Sequence, residues 1–201
     1  MWHPPPVRTR DAARAAAAVA AWLGATGAVI ASGVLVGDGP FPRPVPFLLV
    51  QGLTVVAVAL SPLGARLGRL PLGALLGFQA FRLPLEIVLH AWATARVIPV
   101  QMSWSGENLD VVSGGVGLVA AAIGALRPLP RPLAWLMNTL GFVLLLNVMR
   151  IAVRSVPGPL RAYPGEPLLL PFSLPTGWIV PVCVMGALLG HLVTFRALAR
   201  R

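Results

Sequence analysis

The chain has 201 residues and a formal net charge of +10; 57% of its residues are hydrophobic and only 11% are charged. A soluble domain carries about a quarter charged residues, and a globule of this length cannot bury so much apolar side chain, so lipid must solvate its outside. The composition therefore excludes an ordinary soluble domain, and the continuous apolar runs exclude the alternating pattern of a membrane β-barrel. We predict an all-α, polytopic membrane protein.

Six apolar segments are candidates for membrane-spanning helices, for which a bilayer requires about 20 residues. Clusters of proline and glycine separate them within one predicted membrane domain, 1–201. In chain order the predicted helices are 12–36, 45–63, 70–93, 111–126, 133–153 and 174–198. The first is longer than the h-region of a signal peptide, so we expect it to be retained. The fourth is short and glycine-rich (SGGVG), which predicts tight packing against its neighbours.

The distribution of arginine predicts the orientation of these helices, because cytoplasmic loops are enriched in positive residues. With six spans both termini lie on one side, and that side carries ten arginines against five on the other. The ten are Arg8, Arg10, Arg14, Arg66, Arg69, Arg127, Arg131, Arg196, Arg200 and Arg201, and the five are Arg43, Arg96, Arg150, Arg154 and Arg161. We therefore predict that both termini are cytoplasmic.

The third predicted helix contains three ionisable residues. Arg82, Glu86 and His90 are spaced four residues apart, which places them on one face of a helix. In the predicted orientation His90 lies near the outer end, Glu86 about 6 Å deeper and Arg82 about 12 Å deeper. Because charged groups in hydrocarbon are costly, this cluster is a candidate functional site. Pro84 leaves the carbonyl of Ala80 without its usual helical partner and predicts a kink.

The loop that follows lies on the predicted outer side and carries further polar residues, and the fifth helix brings an arginine to the same level. We predict one outward-facing pocket lined by Arg82, Glu86, His90, Gln101, Glu107, Asn108 and Arg150. Asp110 directly precedes the run VVSGGVG. We interpret it as a structural residue, the N-cap of the fourth helix, in preference to a general acid or base.

Several of these residues have a second interpretation. Arg82 and Glu86 are equally consistent with a structural ion pair inside the bundle. The spacing of Glu86 and His90 is compatible with metal ligands, but no dense cluster of histidine and cysteine supports it, so we expect no metal and no cofactor. Asn138 is expected to form interhelical hydrogen bonds. His191 is expected near the cytoplasmic end of the sixth helix, roughly half a bilayer or more from His90.

The stretches FRLPLEIVLH, PVQM and GENLD, together with NTLGFVLLLNVMRIAV and the closing apolar helix, form a pattern over residues 78–198. This pattern resembles one shared by uncharacterised multi-pass bacterial membrane proteins. The resemblance implies a bacterial membrane protein, and it carries over no activity and no functional residue. We expect the protein to reside in the bacterial cytoplasmic membrane.

The leading functional hypothesis is a carrier or sensor component that binds a small polar or anionic ligand in the outward-facing pocket. Arg82 or Arg150 would hold an anion, while Glu86 and His90 would set protonation. One alternative is a membrane-embedded enzyme acting on a lipid or prenyl-type substrate, with His90 and Glu86 in acid–base or metal roles. Another is a non-catalytic subunit that packs against a partner through its small residues.

The expected partners follow from the same features. They are the lipid bilayer and either a membrane-protein partner or a second copy of the chain. The arginines lie at the ends of apolar runs rather than in a basic stripe, and neither a P-loop nor GxGxxG is present. We therefore expect neither nucleic acid nor nucleotide to bind. The lone Cys183 excludes an intramolecular disulfide.

Overall fold

The computed structural model describes residues 9–36 and 43–200, with side chains from residue 13 onward in the first range. These residues form helices and loops and contain no strand, so the predicted all-helical class is confirmed. The α-helices are α1 (Thr9–Ala31), α2 (Pro44–Leu60), α3 (Pro62–Leu67), α4 (Leu72–Gly77), α5 (Arg82–Thr94), α6 (Val111–Leu126), α7 (Arg131–Ser155) and α8 (Met185–Arg200). Shorter segments are 3-10 helices at Phe78–Phe81, Val100–Met102, Leu170–Phe172 and Thr176–Trp178, and a π-helix at Ile179–Val184.

Within the described ranges, four helical stretches are long and apolar enough to cross a membrane, so the protein is membrane-embedded. They are Ala13–Ala31, Leu72–Thr94, Arg131–Ser155 and Thr176–Arg200. Two shorter apolar helices, α2 and α6, accompany them. Arg8 and Arg201, which enter the arginine count above, lie outside the described residues.

The helix boundaries differ from the predicted ones where local capping or proline decides them. The first helix ends at Ala31 rather than at residue 36. The second ends at Leu60, because the Ser61 hydroxyl accepts hydrogen bonds from the first backbone amides of α3 and so caps a new helix. Pro62 follows it as the first residue of α3, where its missing amide costs nothing. The fourth predicted helix has the predicted bounds, 111–126.

The third predicted helix is continuous as a membrane-crossing stretch but is not one regular α-helix. It consists of α4, the 3-10 turn Phe78–Phe81 and α5. The irregular turn comes just before Pro84, which has no amide to donate to the carbonyl of Ala80. The amide of Arg82 instead donates within the tightened turn, to the carbonyl of Gln79. The proline therefore changes the helix at the level of the ionisable residues.

Close packing brings α6 against this interrupted helix. A Cβ atom added at Gly117 would lie 2.6 Å from the backbone nitrogen of Ala80, and one at Gly114 would overlap the backbone nitrogen of Leu83. Any larger residue at these positions would push the two helices apart. The tight packing expected from SGGVG is confirmed, and it fixes the start of α6 beside Arg82.

The last membrane-crossing stretch begins with irregular turns. Its first nine residues form the 3-10 helix Thr176–Trp178 and the π-helix Ile179–Val184 before α8 starts. The π-helix contains Pro181, which has no amide for the helical ladder. Trp22 of α1 donates its indole N–H to the Pro181 carbonyl at 3.0 Å, and Trp178 donates to the Leu23 carbonyl at 3.1 Å. These bonds connect α1 to the irregular turns.

Two hydrophobic clusters occupy opposite ends of the helix bundle. One is formed by Ala59, Leu72, Leu75, Leu76, Ala120, Leu129, Ala134, Val193, Ala197 and Leu198. The other is formed by Leu89, Ile98, Met102, Ile151 and Leu168. Buried polar side chains from α5, α6, α7 and α8 lie between the two clusters, and they define the candidate site.

Candidate ligand-binding site

Arg82 is at the centre of the buried polar network. It is the first residue of α5 and is 1% exposed. Its Nε donates to Oδ2 of Asp110 at 2.5 Å, and its Nη2 forms an ion pair with Oδ1 of the same carboxylate. Its Nη1 donates to the backbone carbonyl of Gly141 at 3.2 Å. One guanidinium therefore connects α5 with the start of α6 and with α7.

His191 is the third partner of Arg82. Its Nε2 lies 3.2 Å from Nη1 of Arg82, and because arginine only donates, this nitrogen is the acceptor. The ring proton then resides on Nδ1, which donates to Oδ1 of Asn138 at 3.0 Å, and Nδ2 of Asn138 donates to the His191 carbonyl at 3.2 Å. The expected interhelical bonds of Asn138 are confirmed. A Cβ at Gly141 would lie 2.8 Å from the imidazole ring, so glycine there makes room for it.

Glu86 lies one turn after Arg82 and has a different partner. Its Oε2 accepts a hydrogen bond from Nδ2 of Asn108 at 2.8 Å. Asn108 also donates to the Met102 carbonyl at 2.9 Å, and its Oδ1 accepts from the amide of Asp110 at 3.0 Å. Asn108 thus links the two carboxylates and holds the loop before α6 against α5.

A cavity begins at these charged groups. Its empty space is about 1350 Å³, including the part that opens to the outside. It lies between the end of α1, the first two turns of α5, the second half of α7 and the beginnings of α2 and of the last membrane-crossing stretch. Among the described residues its charged lining consists of Arg82, Glu86 and Asp110, and the remaining wall is almost entirely apolar. We call these three residues the polar floor.

A second charged cluster lies on the surface. Nη2 of Arg150 and the hydroxyl of Tyr163 each donate to Oε2 of Glu107 at 2.7 Å. Asn147 donates its side-chain amide to the Glu107 carbonyl at 2.9 Å. The hydrogen bond from Arg150, and after it the smaller effect of the one from Tyr163, hold the pKa of Glu107 below its ordinary value. We call Glu107, Arg150 and Tyr163 the surface cluster; it joins the loop before α6 to α7 and to the segment after α7.

The remaining predicted pocket residues have other neighbours. His90 stacks on Trp104 with ring centroids 4.1 Å apart, and its Nδ1 lies 3.4 Å from the Ser105 hydroxyl. Gln101 donates to the hydroxyl of Ser155 at 3.3 Å. None of these residues lines the cavity.

The structure brings only some of the predicted pocket residues together. The seven predicted pocket residues do not converge: Arg82 and Glu86 line the cavity, Asn108 supports them, and His90, Gln101, Glu107 and Arg150 lie elsewhere. The alternative ion pair is also different, because the guanidinium reaches across to α6 instead of along its own helix. Asp110 occupies the N-cap position, but its side chain makes no capping hydrogen bond, since Arg82 takes both carboxylate oxygens.

Two members of this network were not predicted from the sequence: Asp110 as the partner of Arg82, and His191. A buried arginine requires a counter-charge, and Asp110, directly before the next predicted helix, is one of only six acidic residues in the chain, so charge balance was the signal that could have found it. His191 was placed too close to the helix end. The α8 helix continues to Arg200, nine residues beyond His191, which places the imidazole about 13 Å from that end.

Within the described residues, no group of three His, Cys, Asp or Glu side chains lies close enough together to hold a metal ion. Comparison of the chain with protein-family models, with curated proteins and with solved structures found no match. The polar floor and its cavity are therefore the features from which a function is inferred.

Proposed function

We propose that the protein is a six-span protein of a bacterial cytoplasmic membrane, with both termini in the cytoplasm, that binds a small ligand in an outward-facing cavity as a carrier or sensor component. The observation that carries this proposal is a mostly apolar cavity that begins at three buried charged residues. Intramembrane ionisable groups facing a cavity are typical of ligand and ion sites. His90, which the enzymatic alternative requires, does not line the cavity, so ligand binding is the function we favour.

The positions of the helix ends support six spans. The cavity lies where α1 ends and α2 begins and where α7 ends and the last stretch begins, which supports a crossing by α2 and by α6 between the two ends of the bundle. With 17 and 16 residues they are near the lower limit of about 17 for a span. At the opposite end Arg131 donates to the Leu198 carbonyl and Arg196 to the Ser61 carbonyl. That end carries most of the arginines, which supports a cytoplasmic assignment.

Cysteine labelling tests the orientation. In a Cys183→Ala background, Ser105→Cys places a thiol in the exposed loop at the cavity end, and Leu126→Cys places one at the opposite end, where the residue is 88% exposed. We expect a membrane-impermeant maleimide to label Ser105→Cys in intact cells and Leu126→Cys only after permeabilisation. The reverse pattern would contradict an outward-facing cavity.

Access to the cavity is tested with the native thiol. Cys183 lines the cavity, whereas its neighbour Val182 is 46% exposed on the outer surface of the helix and does not. We expect the neutral reagent N-ethylmaleimide to label Cys183 in folded protein in vesicles. Ala152→Trp, which fills part of the cavity, should slow this reaction but leave labelling of a Val182→Cys, Cys183→Ala control unchanged. A cavity open to small molecules would be contradicted if Cys183 did not react, or if Ala152→Trp left its labelling rate unchanged.

A further inference from the structure

The lining of the cavity indicates a largely apolar ligand. Apart from the polar floor, its wall is almost entirely apolar. Leu85, Leu89, Val148 and Ile179 are among the apolar residues that form its wall above the polar floor. A small hydrophilic ion would leave this wall unfilled, whereas a hydrocarbon chain would cover it and gain from removal of apolar surface from water.

Arg82 has little capacity left for an anionic head group. A guanidinium has five N–H donors, and four contacts are already made: two with Asp110, one with the Gly141 carbonyl and one with His191. A carboxylate or phosphate would have to displace Asp110 to obtain the bidentate geometry that makes arginine a good anion site. The positive charge of the polar floor is therefore used within the protein.

Glu86 is in the opposite situation. It is 1% exposed, it lines the cavity, and Asn108 is its one hydrogen-bond donor among the described residues. In their charged forms Glu86 and Asp110 face a single guanidinium, which leaves one negative charge at the polar floor. A buried carboxylate is stable only when it is paired or well supplied with donors, so the missing partner is a donor or a cation.

We propose that the cavity binds an amphiphile with a hydrocarbon chain and a cationic, hydrogen-bond-donating head group that pairs with Glu86. The chain occupies the apolar wall, and the head group supplies the second partner of the carboxylate. This inference rests on the proposed function, that of an outward-facing ligand-binding cavity, and adds the chemical class of the ligand.

Protection of Cys183 from N-ethylmaleimide tests the inference with three probes of equal chain length: dodecylamine, dodecanol and dodecanoate. The protein is used at full length in neutral lipid vesicles. The Val182→Cys, Cys183→Ala variant is the matched control for changes in the bilayer itself, because its thiol is one residue away but outside the cavity. We expect dodecylamine to protect Cys183 at the lowest concentration, dodecanol at a higher one and dodecanoate least, with no protection of the control thiol.

Glu86→Gln keeps the shape of the side chain and its contact with Asn108 but removes the charge. We expect it to raise the concentration of dodecylamine needed for half-protection about tenfold or more, since a hydrogen bond to a charged group is lost, while that of dodecanol changes little. Glu86→Asp, which retains the charge, should retain the preference for the amine. Reaction of Cys183 with N-ethylmaleimide at the wild-type rate shows that each variant is folded.

The outcomes separate the two proposals. If Cys183 reacts but dodecanoate protects as well as dodecylamine, or none of the probes protects, the ligand class is wrong while the accessible cavity stands. A preference for dodecylamine that survives Glu86→Gln would also overturn the role of Glu86. If Cys183 is unreactive in folded protein, the proposed function itself fails.

Discussion

The part of the chain that the structure describes contains two arginine–carboxylate pairs in contrasting surroundings. Arg82 and Asp110 form one inside the bundle, where their side chains are 2% and 5% exposed. Arg150 and Glu107 form the other on the surface, where the side chains are 47% and 48% exposed. Both arginines come from apolar helices and both acids from the same loop region, so the chemistry is alike and burial differs.

The difference explains why one pair organises the fold and the other does not. In the interior each charge has lost its hydration, so removing one partner leaves the other uncompensated. On the surface, water and salt screen the attraction, and the net stabilisation of an exposed pair is small. The buried pair also fixes α5, α6, α7 and α8 relative to one another through Gly141 and His191. It is therefore a structural requirement for the cavity.

The largest expected effect comes from breaking the buried pair. Asp110→Asn should reduce the free energy of unfolding by about 3–5 kcal/mol, because Arg82 remains buried without a counter-charge. The measurement is unfolding in mixed micelles, and Glu107→Gln, which breaks the surface pair, is the matched control, with an expected change close to zero. Arg82→Met combined with Asp110→Leu removes both charges and should recover part of the loss. Equal stability of Asp110→Asn and Glu107→Gln would contradict the comparison.

A smaller loss of stability is expected when α6 is pushed away from α5 while both Arg82 and Asp110 are retained. Gly114 lies one turn after Asp110, and a Cβ there would overlap the backbone of Leu83, whereas one at the adjacent Gly115 would meet nothing within 4 Å. Gly114→Ala should therefore cost about 1–3 kcal/mol through overpacking. Gly115→Ala is the control, since it adds the same methyl group to the same helix. Similar unfolding midpoints for the two variants would show that the close approach of α5 and α6 is not required.

Much of the helical framework could be predicted from sequence, because it depends on properties of continuous segments. Long apolar runs and their glycine and proline boundaries predicted 111–126 as observed and located the membrane-crossing stretches. The errors occur where a single contact decides the boundary. Ser61, for example, starts a new helix through its hydroxyl, which the hydrophobic pattern does not reveal.

The candidate site was predicted less completely, because its contacts join distant parts of the chain. Helical periodicity identifies neighbours on the same helix and so suggested Glu86 as the partner of Arg82. The actual partner, Asp110, is 28 residues away and reaches Arg82 only because α6 packs closely on α5. His191 is 109 residues from Arg82. Glu107 and Arg150 lie on the surface, away from the cavity, although their positions in the sequence had placed them at the same depth as the other polar residues.

The smallest expected effect is a local one, the pH dependence of the surface cluster. Arg150 and Tyr163 lower the pKa of Glu107 from its ordinary value of 4.5. A lowered pKa in the folded state means that this contribution to stability is complete above about pH 4.5 and is lost as the pH falls through the lowered value. Acidification in that range should therefore release the segment 156–168 from α7.

Hydrogen exchange of segment 156–168 measures this release, with the wild type compared at each pH with Glu107→Gln to remove the intrinsic effect of pH on exchange. The wild-type segment should be the better protected near neutral pH, and the two should become alike as the pH falls below 4.5. Glu166→Gln, which alters another exposed acid in the same segment, should retain the wild-type profile. A protection difference that persists at low pH would mean that packing, rather than the Glu107 charge, holds the segment. The surface pair would then hold no segment in place, whereas the buried pair connects helices.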